Sequence, residues 1–219
     1  MYARFYLVLV LLLWLYGSNS NAQNLIINEI LSSNTQGIID EYGNTSDWIE
    51  IYNPGSNDIV LEGYYLSDNI EDPLKWQFPD RNIEANSYML IFASENYSTE
   101  TELHCNFKLS QQGESILLSN ADGILIDQMD SVLHYTDVSY GHDPSGSGLL
   151  KYFNIPTPLS DNITEGYAGI LSPPHLSHES GFYEHGIEVM ASHEHVEVEL
   201  RYTLDGSDPN QTSLLYPGT

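Results

Sequence analysis

Short β-type segments separated by turn-forming residues limit the fold of this sequence more than any other feature. In the segment from Trp48 to Tyr52, the two isoleucines lie on one face of a strand, and Trp48, Glu50 and Tyr52 lie on the other. Asn53-Pro54-Gly55 then ends the strand, because proline lacks a ladder donor and glycine permits positive φ. Comparable segments are Leu25 to Leu31, Ile59 to Leu66, Ser87 to Phe92, Ser115 to Ser119, Ile124 to Gln128 and Val132 to Tyr135.

Helical signals are missing after the first residues of the chain, since no segment there combines helical periodicity with caps. The sequence therefore predicts an all-β protein. Short strands, turns rich in glycine and asparagine, and the lack of alternating helices favour a β-sandwich over a parallel α/β sheet. An up-and-down barrel is the alternative, because a sequence does not reveal strand order.

The N-terminal residues 1–22 predict a secretory signal peptide. Arg4 precedes an apolar run from Phe5 to Tyr16, and Ser20-Asn21-Ala22 offers small residues for cleavage near Ala22-Gln23. The run is shorter than the roughly 20 residues that a membrane-spanning helix needs, so an uncleaved anchor is the less favoured reading. We expect a secreted or cell-surface protein that does not contact the membrane after cleavage.

The charge balance excludes several classes of partner. The chain of 219 residues carries 31 Asp and Glu against 6 Lys and Arg, a formal net charge of −25. Such a surface repels nucleic acid and anionic membranes, which are bound mainly through Lys and Arg. Solubility explains the acidity, and binding of divalent cations is the alternative.

Cys105 is the only cysteine, so no intrachain disulfide can form and packing must stabilise the fold. Its neighbours, from His104 to Phe107, predict a strand entering the core, where a thiol behaves as a small apolar group.

A second unit is predicted after a stretch rich in Pro, Ser, Gly and Asn between Pro156 and Pro174. Two strands are expected there, Ile187 to Met190 and Val196 to Leu204, and the second alternates apolar and polar residues throughout. Two strands alone make a marginal fold. We therefore expect that further parts of this domain lie beyond Thr219.

The first unit resembles the lamin tail domain in its bacterial, secreted form, which implies an immunoglobulin-like β-sandwich. The resemblance covers most of Leu25 to Asn162 and depends on the order of its motifs. These are Ile27 to Ile30, Asp47 to Pro54, Leu61 to Asp68, Trp76 to Pro79, Asn106 to Ser110, Gly113 to Leu118, Asp122-Gly123, Ser139 to Gly141 and Pro156 to Pro158. His142 and Leu159 depart from the residues that the family commonly has at those positions, Arg and Gly. The family implies no catalytic residue.

The second segment resembles the first half of the chitobiase and β-hexosaminidase C-terminal domain, a fibronectin-III-like sandwich. The resemblance is carried by Gly181 to Tyr183, Val196 to Pro209 and Leu215 to Gly218. The predicted organisation is a signal peptide over residues 1–22, a lamin-tail-like sandwich over 24–162, a linker over 163–175, and part of a fibronectin-III-like domain over 176–219.

Metal binding has two candidate sites, and both are incomplete. Five histidines fall in the final part of the chain, but His-Glu-x-x-His does not occur, and a third ligand for His193 and His195 is unassigned. These five are His175, His178, His185, His193 and His195. The acidic turns Asp205 to Asp208 and Asp68 to Asp72 gather oxygen ligands for calcium, although Asp205 to Pro209 also reads as a hairpin turn. We predict no metal site and no cofactor, with structural calcium as the alternative.

Catalytic motifs are also missing, because the sequence contains no nucleophile elbow, Walker loop or Rossmann fingerprint. Trp48, Trp76 and the tyrosines would suit a sugar platform, but aromatics at strand spacing are more often core residues. We therefore expect a non-catalytic binding, adhesion or tethering module of a larger extracellular protein, whose ligand is a protein or a carbohydrate. The alternative is an accessory region of a kinase-like or hydrolytic enzyme with its catalytic domain beyond Thr219.

Overall fold

Strands are the regular elements of this protein. The computed structural model describes residues 25–96 and 101–218, and none of these residues is helical. No helix that could cross a bilayer is therefore found in these ranges. The predicted signal peptide, residues 1–22, lies outside them. The chain divides into two compact units between Ala168 and Gly169, a position inside the predicted linker.

The described residues of the first unit form thirteen strands. They are β1 (Ile26–Leu31), β2 (Asp47–Asn53), β3 (Ile59–Val60), β4 (Tyr65–Ser67), β5 (Trp76–Gln77), β6 (Asn82–Ile83), β7 (Ser87–Ala93), β8 (Leu103–Cys105), β9 (Ile116–Ser119), β10 (Leu125–Met129), β11 (Ser139–Asp143), β12 (Leu149–Phe153) and β13 (Gly166–Tyr167).

Two open sheets hold most of these strands. The larger sheet has seven strands in the order β13-β12-β11-β1-β2-β7-β8, and the smaller has four in the order β10-β9-β4-β5. Neighbours are antiparallel except β7 and β8, which are parallel. β3 and β6 form a separate ladder. Neither sheet closes into a barrel within the described residues.

The core lies between the two sheets. Ile27, Ile49 and Ile91 from the larger sheet and Leu66 and Leu118 from the smaller belong to one apolar cluster, and these five side chains are fully buried. Burial of this apolar surface is the main force that holds the sheets together. The predicted all-β immunoglobulin-like sandwich is confirmed.

Strand β2 has the predicted alternation, but both of its faces are buried. Ile49 and Ile51 face the core between the sheets. On the other face, Trp48 packs with Leu31 and Phe92 in a second apolar cluster, and Glu50 is also fully buried. Loops therefore cover part of the outer face of the larger sheet.

Two predicted strands differ from the structure. The segment Ile59 to Leu66 is broken between β3 and β4 by a turn in which Gly63 has a φ of +81°, and Tyr64 N donates to Leu61 O. The segment Val132 to Tyr135 forms no strand, because its backbone pairs with a turn instead: His134 N donates to Gln111 O at 3.0 Å.

The second unit contains two short ladders in its described residues. β14 (His175–Leu176) pairs with β15 (Ala191–Ser192), and β16 (Arg201–Tyr202) pairs with β17 (Leu214–Leu215). The predicted strand at 187–190 was therefore wrong, since β15 begins at Ala191, and the predicted strand at 196–204 was wrong in extent, since β16 covers only Arg201–Tyr202. Val196 is 91% exposed and Leu204 is 86% exposed, so the ends of the apolar stripe have no surface to pack against. The fibronectin-III-like identity of this unit stays a prediction.

Candidate functional site

A polar cleft lies at one end of the sandwich. Asp47 opens β2 and pairs with Ala93 at the end of β7, so the loop before β2 and the turn after β7 meet there. The cleft has a volume of about 570 Å³. Nearly all of its lining is polar: Asp40, Asn44, Thr45, Ser46, Asp47, Ala93, Ser94, Glu95, Asn96 and Lys108.

Asp40 organises the loop that forms one wall of the cleft. Its Oδ1 accepts hydrogen bonds from Tyr42 N and Asn44 N at 3.0 and 2.9 Å, and its Oδ2 accepts one from Ser46 Oγ at 2.7 Å. Burial opposes ionisation, but these hydrogen bonds outweigh it and hold the pKa of Asp40 below its usual value. The carboxylate therefore stabilises the loop.

Asp47 fixes the start of β2 in the same way. Its Oδ1 accepts hydrogen bonds from Ser33 N at 2.6 Å and Asn34 N at 3.1 Å. Burial raises the pKa of this carboxyl, although the two hydrogen bonds and nearby Lys108 act in the opposite direction.

A buried histidine supports the other wall. His104 in β8 is fully buried against the rings of Tyr42 and Phe92. Its Nδ1 lies 2.8 Å from Ser94 Oγ, and its Nε2 lies 3.8 Å from Glu41 Oε1 and has no hydrogen bond. The buried ring of His104 therefore fixes the side chain of Ser94, which lines the cleft.

The cleft carries more negative than positive charge. The described residues of its lining include three carboxylates and one cation, Lys108, which forms an exposed ion pair with Glu95 at 3.3 Å. Exposed pairs of this kind contribute little to stability. An anionic ligand would meet net repulsion here.

A second polar feature lies under the outer loop that follows β12. Glu29 in β1 and Glu50 in β2 are cross-strand partners, and both are fully buried. Glu29 accepts hydrogen bonds from Ser139 Oγ and Thr157 N, and Glu50 accepts them from Asn28 Nδ2 and the backbone N of Leu159. The two carboxyls therefore attach this loop to the sheet.

The pKa values of this pair are shifted upwards. Burial raises the pKa of Glu50 to about 8, and the neighbouring charge of Glu29 adds to the shift. Burial also raises the pKa of Glu29, against the hydrogen bonds from Ser139 and Thr157. The loop shields both carboxyls from solvent, and their hydrogen bonds hold the loop against the sheet. Their role is therefore structural.

The predicted metal candidates are not assembled into a site. Among the described residues, no group of three or more His, Cys, Asp or Glu is placed to hold a metal ion. The rings of His193 and His195 are 5.5 Å apart, and His195 N donates to His193 Nδ1 at 3.1 Å. The other three histidines, His175, His178 and His185, lie exposed elsewhere in the second unit.

The two acidic turns have internal partners. Asp205 Oδ1 accepts hydrogen bonds from Ser207 Oγ at 2.6 Å and Ser207 N at 3.0 Å, which hold the pKa of Asp205 below its usual value. Gly206 between them has a φ of +81°, as a turn requires. In the other turn, Asp68 forms a 2.6 Å ion pair with Lys75.

The aromatic candidates and the thiol are mostly core residues. Trp48 and Trp76 are 1% and 2% exposed, so neither can stack on a sugar. Tyr64 and Tyr65 are both half-buried. Cys105 is fully buried, and burial raises the pKa of its thiol to about 12, which makes it unreactive.

Sequence reasoning missed the cleft. Its residues fall in segments that read only as polar turns, residues 40–46 and 94–96. The first segment directly precedes β2 and the second directly follows β7. These positions become informative once the two strands are known to pair, because both segments then lie at the same end of the sheet.

Comparison with protein families gives one match. A family model described as Lamin Tail Domain matches residues 18–132, more than half of the 219 residues. The matched residues include β1 to β10, and β11 to β13 follow them. A comparison with curated proteins found no match.

Proposed function

Because this chain belongs to the lamin tail domain family, we propose that it is a non-catalytic binding or tethering module whose ligand contacts the polar cleft. Lamin tail domains are immunoglobulin-like, non-catalytic modules that commonly bind or tether. The observation that carries the proposal is the cleft of about 570 Å³. Loops at the end of a sandwich are positioned by rigid strands, which is why such loops commonly bind ligands.

The proposal includes export of the chain and a place in a larger extracellular protein, where the module would serve adhesion, anchoring or substrate tethering. Two sequence features support it. Residues 4–22 have the basic, apolar and small-residue order of a signal peptide, and the net charge of −25 suits an extracellular medium.

We expect the exported chain to begin near Gln23. Intact-mass measurement and N-terminal sequencing of the protein recovered from the medium of a secreting host would test this expectation. An exported protein that retains Met1 would contradict it.

Filling the cleft should abolish tethering. Thr45 is exposed and lines the cleft, so the Thr45→Trp variant places a bulky ring in the ligand volume without disturbing the core. We expect its binding to the surface of cells that produce the protein to fall at least about tenfold, as expected for the loss of two or more hydrogen bonds. Fluorescently labelled protein and flow cytometry would measure the binding.

The Ser56→Trp variant is the matched control, because Ser56 is exposed in the turn beyond the opposite end of β2. It should bind like the wild type. Equal binding by wild type and both variants would show that the cleft is not the tethering site.

A further inference from the structure

We infer that the cleft takes a neutral carbohydrate, and that Ser94, Asn44 and Asn96 recognise its hydroxyl groups. The inference rests on the proposed function and names the ligand class of the same site. The volume of about 570 Å³ lies within the range of about 300–1,000 Å³ that is typical of small-ligand sites.

Internal partners already use the charged groups of the cleft. Asp40 accepts three hydrogen bonds from its own loop, Asp47 accepts two, and Glu95 pairs with Lys108. A basic peptide would need unpaired carboxylates, and an anion would need unpaired cations. The groups left for a ligand are amides and hydroxyls, which suit a neutral partner.

The hydroxyl of Ser94 is held by two neighbours, the ring of His104 and the backbone N of Asn96. Nε2 of His104 faces the carboxylate of Glu41 at 3.8 Å, and this charge favours the tautomer with its proton on Nε2. Nδ1 then accepts the hydrogen of Ser94 Oγ at 2.8 Å. Asn96 N donates to the same Oγ at 3.2 Å.

A hydroxyl oxygen has two lone pairs, and these contacts occupy only one of them. The second lone pair of Ser94 Oγ is available to a ligand, because the side chain lines the cleft. The serine therefore presents an acceptor, and it suits a ligand that donates an O–H. Glu41 and His104 act as positioning residues, because they set the orientation of the hydroxyl without contacting the ligand.

Two asparagines lie on opposite walls of the cleft. Asn44 lies in the loop before β2 and Asn96 in the turn after β7, and both are exposed. A primary amide offers two donors and one acceptor oxygen, a combination that matches adjacent hydroxyls of a sugar ring. Among the lining residues that the structure describes, none is aromatic, so the contacts argued here are hydrogen bonds rather than stacking.

The test uses the full exported chain on an array of immobilised neutral, sulfated and uronate-bearing oligosaccharides, with an octalysine peptide alongside. We expect binding to a subset of the neutral oligosaccharides, and a rise in Kd of about three- to tenfold for Ser94→Ala, as expected for the loss of one hydrogen bond. The control is Ser87→Ala, because Ser87 opens β7 at the opposite end and its hydroxyl donates only to Glu84 O at 2.7 Å.

Deoxy analogues of the best oligosaccharide separate recognition from folding. The analogue that lacks the hydroxyl paired with Ser94 should bind wild type and Ser94→Ala equally. On its own, Glu41→Gln should weaken binding of the parent sugar severalfold. Added to Ser94→Ala, it should cause no further loss. A merely structural role of Glu41 would weaken binding in both backgrounds.

The failures of the two proposals are distinguishable. Absence of binding to every neutral oligosaccharide, or stronger binding to sulfated ones, overturns the carbohydrate inference. Octalysine binding that is lost in Thr45→Trp would overturn it as well, while leaving the cleft as a tethering site. Unchanged cell-surface binding by Thr45→Trp would instead remove the proposed function.

Discussion

The Glu50→Gln variant is expected to lose a pH dependence of stability that the wild type shows between pH 4.5 and 8. The pKa of Glu50 is raised from 4.5 to about 8 by burial. Between these values the folded chain holds a proton that the unfolded chain has lost, so raising the pH lowers the free energy of unfolding. The contribution is complete below pH 4.5 and is lost above pH 8.

The expected slope is about 1.4 kcal/mol per pH unit within this window. Glutamine also brings an offset that does not depend on pH, because its NH₂ cannot accept one of the two hydrogen bonds that Asn28 and Leu159 donate. The difference in unfolding free energy between variant and wild type is therefore the quantity to follow. It should shift in favour of the variant as the pH rises from 4.5 to 8.

Urea unfolding at a series of pH values would measure this difference. Fluorescence is a suitable signal, since Trp48 and Trp76 are both buried in the first unit. The Glu62→Gln variant is the control, because Glu62 is exposed and the same substitution there leaves the buried carboxyl of Glu50 unchanged. A flat difference for Glu50→Gln across the window would mean that the carboxyl is ionised throughout.

The sandwich was predictable because its signals are local. Alternation in β2 identified the core-facing side chains Ile49 and Ile51, and the ordered motifs identified the family that the match over residues 18–132 supports. A strand buried on both faces gives a weaker signal. Nothing near Glu50 in sequence indicates that Leu159, far along the chain, covers it.

Long-range pairing explains most of what the sequence did not reveal. The cleft exists because β2 and β7 are neighbours, and His104 reaches Ser94 only because β8 lies parallel to β7. Val132 to Tyr135 has strand-like composition, but a turn around Gln111 uses its hydrogen bonds. These outcomes depend on which segments meet in space.

Replacing Gly113 with alanine is expected to be among the most destabilising single changes in the first unit. Gly113 has a φ of +87°, and a Cβ atom there would lie 2.2 Å from Val132 O and 2.7 Å from Val132 C. The left-handed conformation costs an L-residue roughly 1–2 kcal/mol, and overpacking typically costs about 1–3 kcal/mol more. We expect a total loss of about 2–5 kcal/mol in the free energy of unfolding.

The Gly43→Ala variant separates the two contributions. Gly43 has a similar φ of +84°, but a Cβ atom there would meet nothing within 4 Å. It should therefore lose only the conformational part, about 1–2 kcal/mol. Urea midpoints at constant m-value would give both losses. Equal losses for the two variants would mean that the segment around Val132 moves away from the new methyl group, and that the turn at Gly113 does not hold this segment against the sandwich.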